Sequence, residues 1–274
     1  MSRIQAVFDR LKEKGETALI PFVTVGDPSL EWTERIVRDL EAAGADLIEL
    51  GIPYSDPLAD GPVIQAAALR SLKQGTRMVD AFALVARLRQ SGVGVPLILF
   101  TYVNPVIQWG VERFFATAKE AGADGVIIPD LPYEESGEAR LAAAKYGVDL
   151  IPLVAPTSRQ RIERIAQSAS GFVYCVSSLG VTGMRDRFSA ELPEFVSSVR
   201  SATTLPVAVG FGVSTPEQAA HIKQFADGVI VGSAIVRKIE RLAEAIGSGH
   251  QAEIDGAYGE LVQFAAALKE PLRA

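Results

Sequence analysis

The chain has 274 residues, 48% of them hydrophobic and 22% charged, with a formal net charge of −6. That length suits one large α/β domain or two small ones with a substantial core, and the acidic balance argues against nucleic acid as a main partner. The single cysteine, Cys175, excludes an internal disulfide and a cysteine-based zinc site. The two histidines, His221 and His250, lie in helix-like segments near the C-terminus, so acid–base chemistry falls to Asp, Glu, Tyr or Lys and no metal site is expected.

In chain order, short apolar runs alternate with helical patterns. MSRIQAVFDRLKEKG reads as an amphipathic N-terminal helix of mixed charge, without the apolar core and cleavage site of a signal peptide. No apolar run reaches membrane-spanning length, so the sequence reads as soluble and cytoplasmic. ALIPFVTVG (18–26) is the first predicted strand, followed by a helix with Ser29 as N-cap and Gly44 as its stop. DLIELG (46–51) is the second. Side chains alternate along a strand, so Ile48 and Leu50 share the face under the covering helices, and Leu47 and Glu49 point to the enclosed side. Residues 52–61 hold two prolines, Asp56 and Asp60, and read as an ordered, non-helical loop. Residues 62–74 and 77–91 are predicted helices.

The later predicted strands are 96–105, 124–132, 148–158, 171–178, 205–214 and 227–236, each followed by a helical pattern. The last helical stretch, 237–268, breaks near Gly247–Gly249. A phrase recurs where helix passes into strand: AGADLIEL (43–50), AGADGVII (121–128) and FADGVIVG (225–232). It reads as a helix ended by glycine, a short turn and a buried strand. Eight strand–helix pairs without a linker point to a single (β/α)₈ TIM barrel over residues 1–274, with an extra N-terminal helix and extra helices after strands two and eight. A doubly wound open sheet would usually carry GxGxxG at its first turn, and TVGDPS does not.

Function in such a barrel lies at the C-terminal ends of the strands. Glu49 and the loop with Asp56 and Asp60 fall there, as do Tyr102 and Asn104, Asp130, Tyr174, Thr182 with Gly183, Phe211 with Gly212, and Gly232 with Ser233. Glu49 has no Arg or Lys on neighbouring strands to pair with, which favours chemistry over a structural ion pair. From pattern alone Asp60 is equally well a turn residue of Asp-Gly-Pro, and Asp56 reads best as an N-cap or Asx-turn residue. Asp130 is a candidate for capping the fourth loop. Tyr174 shares parity with Phe172 and Val176, so a plain core aromatic remains open. Cys175 reads as inert packing. Gly183, Gly212, Gly232 and Ser233 present backbone N–H groups on three consecutive loops, and GSAIV opens a short helix, which together predict a phosphate site.

PFVTVGDPS, ELGIPYSDPLADGPVIQ, NPV, PDLPYEES, VSSLGVTG, GFGVS and VGSAIV occur in this order. Together they closely resemble the tryptophan synthase alpha-subunit family over essentially the whole chain. The resemblance implies that Glu49 and Asp60 are catalytic, that Tyr174 lines an indole pocket, and that Phe22 and Phe211 flank the substrate ring. It implies phosphate binding by Gly183, Gly212, Gly232 and Ser233, with Tyr102, Asp130 and Thr182 as further substrate-binding candidates. Pro53 and Asp56 would meet a β subunit that carries pyridoxal phosphate, in an α2β2 hetero-tetramer, and this chain would need no cofactor. The sequence departs from the family's pattern in its sixth loop, where Ser178 stands in place of a frequent Arg and Arg185 follows GVTG.

The implied reaction is retro-aldol cleavage of indole-3-glycerol phosphate to indole and glyceraldehyde 3-phosphate. Indole C3 takes a proton, charge develops at the ring N–H, and the adjacent hydroxyl loses its proton as the C–C bond breaks. Other readings are a standalone lyase releasing free indole, a sugar-phosphate isomerase, and a non-catalytic subunit that only activates its partner.

Overall fold

The computed structural model describes residues 2–157, 159–176, 191–210 and 212–274. Its strands are β1 (Ala18–Thr24), β2 (Ile48–Gly51), β3 (Leu97–Phe100), β4 (Gly125–Ile127), β5 (Asp149–Leu150), β6 (Leu153–Val154), β7 (Val173–Val176), β8 (Val207–Gly210) and β9 (Gly228–Val231). All pairings are parallel, in the order β5-β4-β3-β2-β1-β9-β8-β7-β6. The two end strands, β5 and β6, are halves of the fifth predicted strand. Pro152 between them has no N–H to donate. The Ile151 N–H still bonds the Val126 carbonyl on one side (2.9 Å), and the Pro152 carbonyl accepts the Tyr174 N–H on the other (3.1 Å). The segment thus pairs with both neighbours in turn and closes an eight-stranded barrel.

The alternation expected around Glu49 is present. Ile48 and Leu50 belong to the apolar layer between strands and helices, whereas Leu47 belongs to the barrel interior. The interior is plugged by helix Arg3–Lys14, whose buried Ile4, Val7, Phe8 and Leu11 follow the spacing of one helical face. Each such side chain contributes roughly 1.5–3 kcal/mol on burial. Phe8 meets Phe172 with ring centroids 5.6 Å apart. The Ser2 hydroxyl caps the helix start by accepting the Gln5 N–H, and Gly15, at φ 69°, ends it.

The recurring Ala-Asp phrase has a second physical role. Asp46, Asp124 and Asp227 each accept a backbone N–H from the neighbouring strand or its approach: Leu19 (2.8 Å), Leu97 (2.9 Å) and Val207 (2.8 Å). Each also meets a cation: Lys269 (2.9 Å), Arg89 (2.5 Å) and Arg200 (2.7 Å) respectively. The phrase therefore stitches the N-terminal rim of the barrel, away from the strand ends where function is expected.

Several predicted boundaries are corrected. The third strand ends at Phe100, and residues predicted as strand up to 105 include the start of helix Val103–Trp109. The Asp130 carboxylate accepts the Val103 N–H at 2.9 Å, which supports that helix start, and Pro105 lies in the first turn, where proline is tolerated. The eighth predicted strand, β9, stops at Val231, and helix Ser233–Ser248 begins at once, so GSAIV opens a 16-residue helix rather than a short one. The extra helices after strands two and eight are present as Pro62–Lys73 with Met78–Gln90, and Ser233–Ser248 with Gln251–Lys269. Among the described residues no helix is long and apolar enough to cross a membrane.

Candidate active site

Strand register sets the first part of the site. Phe22 on β1 is level with Glu49 on β2, which is level with Ile98 on β3. Glu49 is 1% exposed, and its Oε1 has no hydrogen-bond partner among the described residues. Burial alone pushes its carboxyl up to about 8. The carboxyl is therefore largely neutral at pH 7 and carries a proton to donate.

Asp60 reaches the same cavity from the loop. The loop is ordered by short turns, with the Leu58 N–H on the Asp56 carbonyl and the Asp60 N–H on the Pro57 carbonyl. Gly61 and Pro62 then start helix Pro62–Lys73, a proline position suited to the first turn. Gln65 on that helix donates to the Asp60 carbonyl at 2.8 Å. Burial raises the Asp60 carboxyl to about 6, against an opposing hydrogen bond from the Tyr102 side chain. Asp60 is thus mostly ionised at pH 7. Two carboxyls whose surroundings separate their pKa values in this way supply an acid and an anion side by side.

Both line one cavity of about 720 Å³, within the usual range for a small-molecule site. Phe22, Asp130, Tyr174, Gly212, Gly232 and Ser233 line it too. Tyr174 is half-buried, and its hydroxyl is held well above its ordinary pKa by burial and then by the charges of Glu49 and Asp60. Close fit explains two glycines: a Cβ on Gly210 would lie 2.4 Å from the Tyr174 hydroxyl, and one on Gly51 would lie 2.3 Å from the Phe22 ring. Gly232 immediately precedes helix Ser233–Ser248, whose first hydrogen bond runs from the Val236 N–H to the Gly232 carbonyl. Gly232 and Ser233 line the cavity, and the first-turn N–H groups of a helix have no intrahelical acceptor, an arrangement that favours an anion.

Tyr102 does not line this cavity. It is 2% exposed, and its hydroxyl accepts the Ala59 N–H at 3.2 Å and bonds Asp60, so it holds the loop from behind. Asp130, which lines the cavity, also anchors the Val103 N–H next to Tyr102. The loops after three adjacent strands are therefore linked in series, ending at Asp60. Pro53 is buried and Asp56 exposed, both away from the cavity wall. Thr182, Gly183 and Phe211, like Ser178 and Arg185, lie outside the described residues. Cys175 is buried, and burial pushes its thiol up to about 12.

Among the wall residues that the sequence does not single out, two stand beside Phe22 and Asp60. Phe100 stands edge-on to Phe22 with centroids 5.5 Å apart, and Ile64 projects from the first turn after Asp60. Phe100 shares parity with Ile98, so the alternation that singled out Glu49 would also have found it.

The description "Tryptophan synthase alpha chain" belongs to the family model that matches residues 8–263. The chain belongs to the tryptophan synthase alpha chain family. The alpha chain of Geobacillus stearothermophilus is 55% identical over 255 residues, 93% of this chain and 94% of that one. That of Thermoanaerobacter sp. (strain X514) is 46% identical over 272 residues, 99% and 100% of the two chains. Among solved structures, Mycobacterium tuberculosis tryptophan synthase superposes with a TM-score of 0.88 at 35% identity, covering 100% of this chain and 99% of that one. The tryptophan synthase alpha chain of Legionella pneumophila subsp. pneumophila gives 0.87 at 35% identity, covering 99% and 97%. The family assignment and the barrel expected from the motifs agree with these relatives.

Proposed function

We propose that Glu49 and Asp60 carry the alpha-chain lyase reaction, cleavage of indole-3-glycerol phosphate to indole and glyceraldehyde 3-phosphate. The observation that carries this is the pair of carboxyls in one cavity, Glu49 raised to about 8 and Asp60 to about 6. Neutral Glu49 delivers its proton to indole C3. Positive charge then grows at the ring nitrogen, and ionised Asp60 accepts the ring N–H hydrogen bond and stabilises that charge. The C3 side-chain bond breaks, its electron pair returns to the ring, and the adjacent hydroxyl becomes the aldehyde. Glu49, now a carboxylate, takes the hydroxyl proton and is reset. Phe22, Phe100 and Tyr174 frame the ring.

The phosphate would sit against Gly212, Gly232 and Ser233, with Gly183 as a further contact. It anchors the far end of the substrate and so orients the ring. Ser233→Asp is expected to raise KM much more than it lowers kcat, because its carboxylate competes for the same N–H groups. Inhibition by glycerol phosphate, compared between this variant and wild type, checks the assignment. Equal inhibition of the two would count against it.

The family implies a β-subunit partner. We infer an α2β2 assembly in the cytoplasm, with pyridoxal phosphate on the β subunit and no cofactor required by the chemistry above. The contact face would be the outer rim of loop 52–60, where Asp56 is exposed and Leu58 is 73% exposed. Ile107, 60% exposed, lies on the helix whose Asn104 bonds the Tyr54 hydroxyl at 3.3 Å. Asp56 and Asp60 share one short loop, so binding at one end biases the other, with a coupling of ~1–3 kcal/mol typical of such links. Indole release assayed with and without purified β subunit is expected to rise on addition, and Asp56→Ala is expected to lose most of that rise. Equal rises for the two proteins would remove Asp56 from the coupling; no rise in either would favour a standalone lyase.

A further inference from the structure

One guanidinium joins the two ends of the cavity. Arg70 lies in the last turn of helix Pro62–Lys73, the helix that starts two residues after Asp60. Its Nε and Nη2 donate to the two carboxylate oxygens of Asp27, both at 2.9 Å, and its Nη1 donates to Glu240 Oε1, also at 2.9 Å. Asp27 stands in the turn after β1 and is 1% exposed. Glu240 lies on helix Ser233–Ser248, whose first turn forms the phosphate end. The same two helices also meet through Ile64, Ala67 and Val236, packed with Phe22. Apolar contact of this kind sets the distance between helices but tolerates rotation and sliding. A planar fork gripping both oxygens of a buried carboxylate fixes orientation as well.

We propose that Arg70 is a positioning residue that couples phosphate binding at Gly232–Ser233 to the placement of Asp60. This rests on the roles given above to Asp60 and to the phosphate end. Asp60 belongs to an irregular loop, and one of the two supports that fix it is helix Pro62–Lys73, through Gly61, Pro62 and the Gln65 bond to its carbonyl. Arg70 ties that helix at once to the barrel, through Asp27, and to the phosphate helix, through Glu240. A shift of either helix is therefore felt by the other. Misplacement of a reacting group by about 1 Å can cost about 10² in rate, so a small rotation suffices to register in kcat.

The test uses the full chain with Glu240→Gln, Arg70→Lys and Arg70→Met. Each is first checked for cooperative thermal unfolding above the assay temperature. Then kcat and KM for indole release and Kd for sn-glycerol 3-phosphate are measured. Glu240→Gln weakens the tie to the phosphate helix and is expected to raise KM and Kd about 3–10-fold, with a smaller fall in kcat than Arg70→Met because Asp27 still holds the fork. Arg70→Met is expected to add a fall in kcat of at least about tenfold. Arg70→Lys keeps the charge without the fork and is expected to fall between Arg70→Met and wild type. Should Arg70→Met fail to fold, Glu240→Gln and Arg70→Lys decide alone. Folded variants with kcat, KM and Kd all within about twofold of wild type overturn the proposal, as does an activity loss that merely tracks the folded fraction. Ser233→Asp and Asp60→Asn run in parallel: if these too behave as wild type, the site assignment has failed rather than the clamp.

Discussion

Glu49→Gln is expected to fold, to bind substrate and to lose at least ~10²–10⁴ in kcat, the usual range for removing a general acid or base. The amide has nearly the shape of the protonated carboxyl but has no acidic proton to deliver. Relative to wild type, the same substitution is expected to shift from neutral or destabilising at low pH to stabilising as pH rises. The folded-state pKa of Glu49 is raised from 4.5 to about 8, so its contribution to stability is fully present below 4.5 and is lost as pH rises towards about 8. Each pH unit in that window takes up to about 1.4 kcal/mol from wild type, because unfolding then releases a proton the folded state retains. The variant has no such group. Its Tm is expected near or below that of wild type at about pH 5, where the buried amide is the main difference, and above it at about pH 8. Activity within a few-fold of wild type would end the assignment of Glu49. A Tm difference independent of pH would contradict the burial-driven shift.

The second large effect concerns Asp60. Asp60→Asn keeps an acceptor oxygen for the ring N–H but removes the negative charge that meets the developing positive one. Loss of a preorganised electrostatic partner typically costs about 10²–10³ in kcat. KM is expected to change little, since the phosphate end supplies the anchoring and the Asp60 effect belongs to the transition state. The side chain keeps its place, because Tyr102 can still donate to the amide oxygen and Gln65 still holds the backbone carbonyl. Steady-state kinetics of indole release give both constants. A rise in KM with kcat unchanged would make Asp60 a binding residue instead.

The sequence shows the barrel because its two periods are clean. Strands with alternating or fully apolar patterns pass into glycine-ended helices, and the parity of DLIELG alone places Glu49 inside. It shows less where one residue acts on two elements at once. Pro152 splits a strand by lacking one N–H, and the apolar run LIPLV cannot reveal which neighbour each half meets. TYVNP (101–105) reads as strand because it continues the apolar run PLILF, whereas the Asp130 cap that supports the helix comes from 27 residues away. Tyr102 reads as a wall residue from its position at a strand end, yet its hydroxyl is consumed by Ala59 and Asp60. The Arg70 fork on Asp27 spans 43 residues and its bond to Glu240 spans 170, distances at which no local pattern carries information.

The proposed reaction requires Glu49 to be a neutral acid and Asp60 an anion at the same pH. The pH dependence of kcat/KM for the isolated chain, followed from about pH 5 to about pH 10, tests this most directly, because it reports ionisations of the free enzyme and free substrate. The expected profile is a bell with an acid limb near 6, where Asp60 gains a proton, and an alkaline limb near 8, where Glu49 loses one. The substrate's own phosphate also titrates near the acid limb, so the alkaline limb decides. A tenfold fall for each pH unit above about 8 is the predicted result. A plateau running on to about pH 10 would contradict the central claim.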